Sequence, residues 1–272
     1  MKLIGEGETA EVFDYSERKV LKLYRKDYED EMENEKKFTE LISEKFGLAP
    51  KVFGTVNHEG RTGLIMEKVD GRLMMDIIRD DAVSMLKYAQ ILGKEHKKMH
   101  SIKTDDEIVR IKPFLRRGVQ RASFLNGKEL EDVLFMYDSI PEGDCLNHGD
   151  FMPYNIIMSD TEFKVLDWND CGIGNPLADV ARTVNFILDT TDSVDAPFAE
   201  SREEFAREYL KSYFYPEEID YENLGKWLII NGILEINYAE YFGNTDEYSE
   251  RLKRFVIENH KNIKEPKALI PK

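Results

Sequence analysis

The stretch His148-Gly149-Asp150-Phe151-Met152-Pro153-Tyr154-Asn155, followed twelve residues after the asparagine by Asp167, gathers the groups that phosphoryl transfer needs. That chemistry asks little covalent work of a protein. It requires a carboxylate to orient an attacking hydroxyl and accept its proton, and oxygen ligands that hold magnesium against the β- and γ-phosphates. An aspartate and an asparagine five residues apart on a tight loop, with a second aspartate at the end of the next strand, supply those groups on converging backbone. With Asp150 available as the base, the simpler role for His148 is to brace the loop through a hydrogen bond.

Two further patterns lie near the start of the chain. Gly5-Glu6-Gly7-Glu8-Thr9-Ala10 falls between strand-like segments, where glycines let the backbone approach a triphosphate closely. A strand follows it, which excludes a Rossmann or Walker loop, since both of those open a helix. Val20-Leu21-Lys22-Leu23 then sets a lysine within an apolar strand. On the next helix Glu35 precedes Ile42 by seven residues and Phe46 by eleven. At roughly 100° per residue those offsets place Glu35 within about 20° of the apolar stripe. An inward carboxylate requires a cation. Lys22 is the natural one, with Glu31, one turn earlier, as a substitute for Glu35.

These groups need elements to position them. Lys2 to Ile4 reads as a strand, and Glu11 to Tyr15 with Lys19 to Tyr24 as a hairpin. From Asp27 to Phe46 the apolar residues fall at helical spacing, and Gly47 ends the helix. Strands follow at Lys51 to Val56 and Thr62 to Val69, around His58-Glu59-Gly60-Arg61. After Asp70-Gly71 the pattern is mainly helical, with segments near Ala82 to His100, Lys128 to Tyr137, Asp179 to Leu188, Arg202 to Phe214 and Tyr221 to Phe242. The exception is Asn155 to Met158 with Phe163 to Leu166, a short hairpin. A small antiparallel sheet with one helix, then a hinge, then a helical domain carrying a hairpin is an α+β bilobal plan. The tail from Lys264, with Pro266 and Pro271, is expected to be loosely held.

At 272 residues, 42% hydrophobic and 11% aromatic, the chain can bury a full core. It has no signal-peptide pattern, and its most apolar window, Trp227 to Ile236, is far too short to span a membrane, so a soluble cytoplasmic protein is expected. Cys145 and Cys171 form neither a disulfide framework nor a zinc cluster. A net charge of −15 opposes nucleic acid as a partner and favours a cationic substrate.

The His148 to Asp167 stretch resembles the catalytic loop of the protein-kinase-like superfamily. The resemblance implies Asp150 as catalytic base, with Asn155 and Asp167 as magnesium ligands. It also implies a nucleotide lid at Gly5 and Gly7, which departs from the kinase glycine-rich loop at its third glycine, here Ala10. Lys22 and Glu35 become the ion pair on the α- and β-phosphates, and the Glu67 carbonyl and Val69 amide become adenine contacts at a hinge. The arginine that follows the histidine in most protein kinases is absent. Only eleven residues separate Asp167 from Asp179, and no Ala-Pro-Glu motif follows.

Instead Leu166-Asp167-Trp168 and Gly174-Asn175-Pro176-Leu177-Ala178-Asp179-Val180-Ala181 are similar to the aminoglycoside phosphotransferase family, whose fold is shared with choline kinases. Leu48-Ala49-Pro50-Lys51-Val52 and the end of the long helix, His96 to His100, point the same way. That resemblance implies a bilobal protein-kinase-like fold, with residues 1–69 as nucleotide-binding N-lobe and hinge. Residues 70–272 become a helical C-lobe with the catalytic loop and acceptor pocket. Asp179 supports that loop from the start of a helix. The implied activity is phosphorylation of a small-molecule hydroxyl with ATP, or alternatively GTP, and Mg2+. A choline, amino-alcohol or sugar kinase, a nucleotide-binding regulatory module and a compact atypical protein kinase are the alternatives. Asp170, Glu235, Glu240, Trp227, Tyr238 and Tyr241 are available to an acceptor pocket, although a solvated face or core packing is the simpler reading of any one of them.

Overall fold

The computed structural model describes residues 1–7, 9–104, 108–188, 201–243 and 247–261. The tail from Lys264 lies outside them. The strands are β1 Lys2–Glu6, β2 Ala10–Ser16, β3 Lys19–Tyr24, β4 Val52–His58, β5 Arg61–Glu67, β6 Arg72–Leu73, β7 Cys145–Asn147, β8 Ile156–Met158, β9 Phe163–Val165 and β10 Gly172–Gly174. The α-helices are α1 Glu29–Phe46, α2 Met74–Asp80, α3 Met85–Met99, α4 Ile111–Val119, α5 Gly127–Ser139, α6 Pro176–Leu188, α7 Arg202–Phe214, α8 Tyr221–Phe242 and α9 Glu247–Asn259. The chain divides into two compact units, Met1–Asp76 with Pro153–Asp170 and Ile77–Met152 with Cys171–Lys272.

The first unit is a five-stranded antiparallel sheet of order β1-β2-β3-β5-β4 with α1 packed on it. Its apolar cluster joins Met32 of α1 to Ala10, Tyr24, Leu64 and Met66 of the sheet. Gly47 ends α1 in the left-handed region at φ 66°, its N–H donating to Ser43 O at 3.1 Å, a cap that glycine adopts without a Cβ penalty. The hairpin β8–β9 pairs with β6, and the Val165 N–H donates to Leu48 O at 2.8 Å while Lys164 Nζ donates to Gly47 O at 2.6 Å. These bonds fasten the hairpin to the segment just after α1.

The second unit is helical apart from the two-stranded β7–β10 pair. Its centre is α8, whose Leu224, Trp227, Leu228, Ile229, Ile230 and Ile233 are all buried. A helix so apolar on several faces must be covered on several sides. Here α4, α5, α6 and α9 cover it. Trp227, offered by the sequence to an acceptor pocket, is core: it is 1% exposed and meets Tyr137 edge-on at 5.9 Å. Helices α3 and α7 pack so closely that a Cβ on Gly93 would lie 2.5 Å from the Tyr209 carbonyl oxygen and 2.8 Å from the Tyr213 nitrogen. Among the described residues no helix is long and apolar enough to cross a membrane.

Because backbone on both sides of Gly93 has no easy retreat, Gly93→Ala should lower unfolding free energy by about 1–3 kcal/mol, the usual cost of overpacking. Urea denaturation measures it. A change within about 0.5 kcal/mol, as for a bland surface substitution, would mean that α3 and α7 separate without cost.

Candidate active site

In the first unit the lysine and the glutamate singled out by the sequence meet. Lys22 Nζ donates to Glu35 Oε2 at 2.6 Å, and Glu35 is 1% exposed. Glu35 therefore takes the lysine, and Glu31 does not replace it. Burial disfavours the Lys22 cation, but the Glu35 and Asp167 carboxylates outweigh that and hold its pKa above the ordinary lysine value. Burial pushes the Glu35 carboxyl up, against the pull of Lys22. The Tyr24 hydroxyl also donates to Glu35 Oε2. Lys22 and Tyr24 are two apart on β3, so they share a strand face. That spacing was visible in the sequence and would have found Tyr24.

The proposed metal ligands sit at the open end of the β8–β9 hairpin. Asn155 ends a 3-10 turn, Pro153–Asn155, just before β8. Its carbonyl accepts the Leu166 N–H at 2.7 Å, which brings the residues before β8 and after β9 together. Asp167 follows at φ 62°, a left-handed conformation that aspartate tolerates better than most residues. One carboxylate oxygen lies 3.8 Å from Lys22 Nζ. The Trp168 ring is buried, and its indole N–H donates to Val165 O at 2.8 Å, pinning the turn. Asn169 Nδ2 donates to Asp167 Oδ1 at 3.0 Å and to Glu35 Oε2 at 3.4 Å. An amide oxygen at Asn155 and a carboxylate at Asp167 are hard donors of the kind Mg2+ takes, so the residue types fit that ion.

In the second unit the loop carrying Asp150 is held from below by a buried acid. Asp179, in the first turn of α6, accepts the His148 N–H on Oδ2 at 2.6 Å and the Gly149 N–H on Oδ1 at 3.0 Å. His148 Nδ1 in turn accepts the Asp150 N–H at 3.1 Å, the brace expected of it. The Thr183 hydroxyl, one turn along α6, donates to Phe151 O at 2.9 Å. Together these contacts fix the backbone on both sides of Asp150.

His96 of α3 and His100, the residue that caps its C-terminus, complete the setting of Asp179. His100 Nε2 lies 3.4 Å and His96 Nε2 3.2 Å from Asp179 Oδ2, the latter outside hydrogen-bonding geometry. Their Nδ1 atoms meet Tyr213 Oη at 2.8 Å and Tyr209 Oη at 2.7 Å. Burial opposes ionisation of Asp179, yet the two imidazoles hold its carboxyl well below the ordinary range. His96 is itself kept neutral near pH 7, burial lowering its pKa to about 3. Tyr209 and Tyr213 were missed because their partners lie 113 residues earlier.

The remaining candidates divide between the units. Gly5 and Gly7 lie in and just after β1, and Gly7 N–H donates to Ala10 O at 2.9 Å. Glu67 ends β5, its N–H bonded to Lys51 O at 2.8 Å, and Val69 follows two residues on. Tyr238 and Tyr241 are exposed on the last turns of α8, each against Phe242, and Glu240 accepts the Ser123 hydroxyl at 2.9 Å.

A sheet-and-helix lobe with a buried lysine–glutamate pair, together with a helical lobe bracing an aspartate loop, defines the kinase-like class of phosphotransferases. The chain matches the phosphotransferase enzyme family over residues 1–224 and belongs to it. No curated protein sequence matches it. Among solved structures, a thermostable mutant of the aminoglycoside phosphotransferase APH(4)-Ia is similar at 16% identity and a TM-score of 0.62, covering 95% of this chain and 93% of that one. APH(2'')-IIa in its ternary complex with streptomycin and ATP is similar at 18% identity and a TM-score of 0.58, covering 99% and 93%. Choline kinase from Cryptosporidium parvum Iowa II is similar at 14% identity and a TM-score of 0.54, covering 94% and 87%. These likenesses concern the fold, which is the α+β kinase-like plan read from the sequence.

The neutral burial of His96 sets a pH dependence. Its pKa falls from 6.5 in the unfolded chain to about 3 in the fold, so the unfolded state binds the extra proton between those values. The stability linked to His96 is fully present above pH 6.5 and drains away as pH falls toward 3, at up to about 1.4 kcal/mol per pH unit. Urea unfolding at stepped pH should show the wild-type advantage over His96→Gln shrinking across this window. A constant difference would mean that His96 is not buried neutral.

Proposed function

We propose that the protein transfers the γ-phosphoryl group of ATP to a hydroxyl of a small molecule, with Mg2+ as its metal. The observation that carries this reading is the first unit's grouping of Lys22, buried Glu35 and Asp167, with Lys22 2.6 Å from one acid and 3.8 Å from the other. A lysine flanked in this way stays charged and is aimed by its acids, as contact with α- and β-phosphates demands. Residues 1–69 serve as nucleotide lobe and hinge, and residues 70–272 carry the catalytic loop and acceptor pocket.

Gly5 and Gly7 support a lid role through what their surroundings omit. Neither has a positive φ, and a Cβ on either would approach the described protein atoms no closer than 3.6 Å. Internal packing gives no reason for glycine at these positions. Close approach of a phosphate chain does. Val69, half-buried after β5, has no hydrogen-bond partner for its N–H among the described residues, which suits an adenine contact beside the Glu67 carbonyl.

Asn155 and Asp167 would hold the magnesium, which when bound offsets charge on the phosphoryl oxygens. Asp150 orients the acceptor hydroxyl and takes its proton. Its backbone is fixed by His148 and, through the preceding residues, by Asp179, so the loop that carries the carboxylate is held before the acceptor arrives. For the acceptor, the net charge of −15 favours a hydroxylated, cationic molecule of the aminoglycoside kind. Choline, amino alcohols and neutral sugars form the comparison set.

Steady-state ATP turnover across that panel tests the reading. On the responsive acceptor, Asp150→Ala should lower kcat by roughly 100-fold or more while nucleotide affinity stays within about threefold. Unchanged turnover would remove Asp150 from the role of base. Tight Mg·ATP binding with no transfer to any acceptor or protein would point to a regulatory nucleotide-binding module.

A further inference from the structure

Asn169 occupies a position that neither the sequence motifs nor the proposed chemistry assigns. It stands two residues beyond Asp167, on a turn whose intervening Trp168 is locked by its ring burial and its indole hydrogen bond. Its Nδ2 lies between two carboxylates, 3.0 Å from Asp167 Oδ1 and 3.4 Å from Glu35 Oε2. Both neighbours are acceptors, so chemistry fixes the amide with its nitrogen toward them. The amide oxygen is buried without a hydrogen-bond partner among the described residues, a cost that this orientation accepts.

The same oxygens carry the rest of the cluster. Glu35 Oε2 also receives Lys22 Nζ and the Tyr24 hydroxyl, and Asp167 Oδ1 also faces Lys22 Nζ. Lys22, Glu35, Asn169 and Asp167 therefore form a closed ring in which every link is a charge contact or a charge-assisted hydrogen bond. Two acids on one cationic group would repel each other if the lysine turned to a phosphate. A neutral double donor between them keeps both in place and adds no charge. An aspartate would bring a third negative charge, and an apolar residue would remove the link between the two acids.

We infer that Asn169 is a positioning residue that ties the metal ligand Asp167 to the lysine-anchoring Glu35, so that Mg2+ and the nucleotide assist each other's binding. This rests on the function proposed above. With the tie intact, loading of Asp167 by the metal holds Glu35 and hence Lys22 in the geometry that meets the phosphates. Linkage makes the effect reciprocal.

Calorimetric titration of the full chain with a non-hydrolysable ATP analogue, with and without Mg2+, tests the inference. In the wild type Mg2+ should tighten the analogue. Asn169→Leu should weaken binding in saturating Mg2+ by about tenfold, within the 5- to 150-fold range usual for coupled sites. Metal-free affinity should move less than about threefold, and the Mg2+ concentration needed for half-maximal turnover should rise with little change in metal-saturated kcat. Asn169→Ala, which removes the same donor from a smaller side chain, repeats the reading if the leucine variant does not fold. An unchanged Mg2+ effect in the folded variant overturns the inference, and so does equal weakening with and without metal, the mark of a merely structural residue. A wild type that binds no analogue under either condition sinks the proposed function itself.

Discussion

A carboxylate removed from water must find donors, and each of the two units is organised around one such group. Burial of an unpaired carboxylate costs several kcal/mol or shifts the group to its neutral form. Glu35 meets the requirement with an ammonium, a phenol and an amide, all within its own unit. Asp179 meets it with two backbone N–H groups and the His100 imidazole, with the His96 ring beside it. The difference in donors matches the difference in task. Glu35 holds side chains, one of which, on the proposed reading, reaches outward to the nucleotide. Asp179 holds backbone, and so fixes where a loop stands.

The position of Asp179 also explains why the support comes from α6. An acid in the first turn of a helix gains from the helix dipole, and here it spans from that turn to the N–H groups of residues 148 and 149. Asn231 Nδ2 of the central helix α8 donates to Ala178 O beside it at 3.0 Å. His96 stacks on Phe151 at 4.0 Å and closes the far side. The loop's geometry therefore depends on α3, α6 and α8 packing at once, so a change in any of the three reaches Asp150 through backbone.

Much of this was legible in the sequence where the signal is local or periodic. The Lys22–Glu35 pair followed from one strand and one helical stripe, because a helix converts offsets of seven and eleven residues into a shared face. The hairpin around residues 159–162 and the glycine stop of α1 were readable from turn chemistry. Short elements were not. β6, β7 and β10 are two or three residues long, and Gly172 and Gly174 carry no β signal of their own. β10 forms because it pairs with Cys145–Asn147, a tertiary fact. Helix α4, Ile111–Val119, was hidden by Pro113 and Gly118, both poor helix formers that its packing tolerates. Trp227 and Tyr241 lie on one helix, and only packing tells that the first is core and the second exposed.

Net charge sets the last constraint. A chain at −15 repels a nucleotide triphosphate at long range, and salt screens that repulsion over about 10 Å or less without reversing it at contact. Attraction must then be local and dense. The first unit brings Glu31, Glu35, Asp167 and Asp170 close enough for their charges to act on one another, with Lys22 as the cation among them. Such a cluster repels a bare triphosphate and attracts a divalent ion. On the proposed reading, the acids that oppose the nucleotide alone favour it once it arrives with magnesium, so the acidic balance becomes a selection for the metal-bound form.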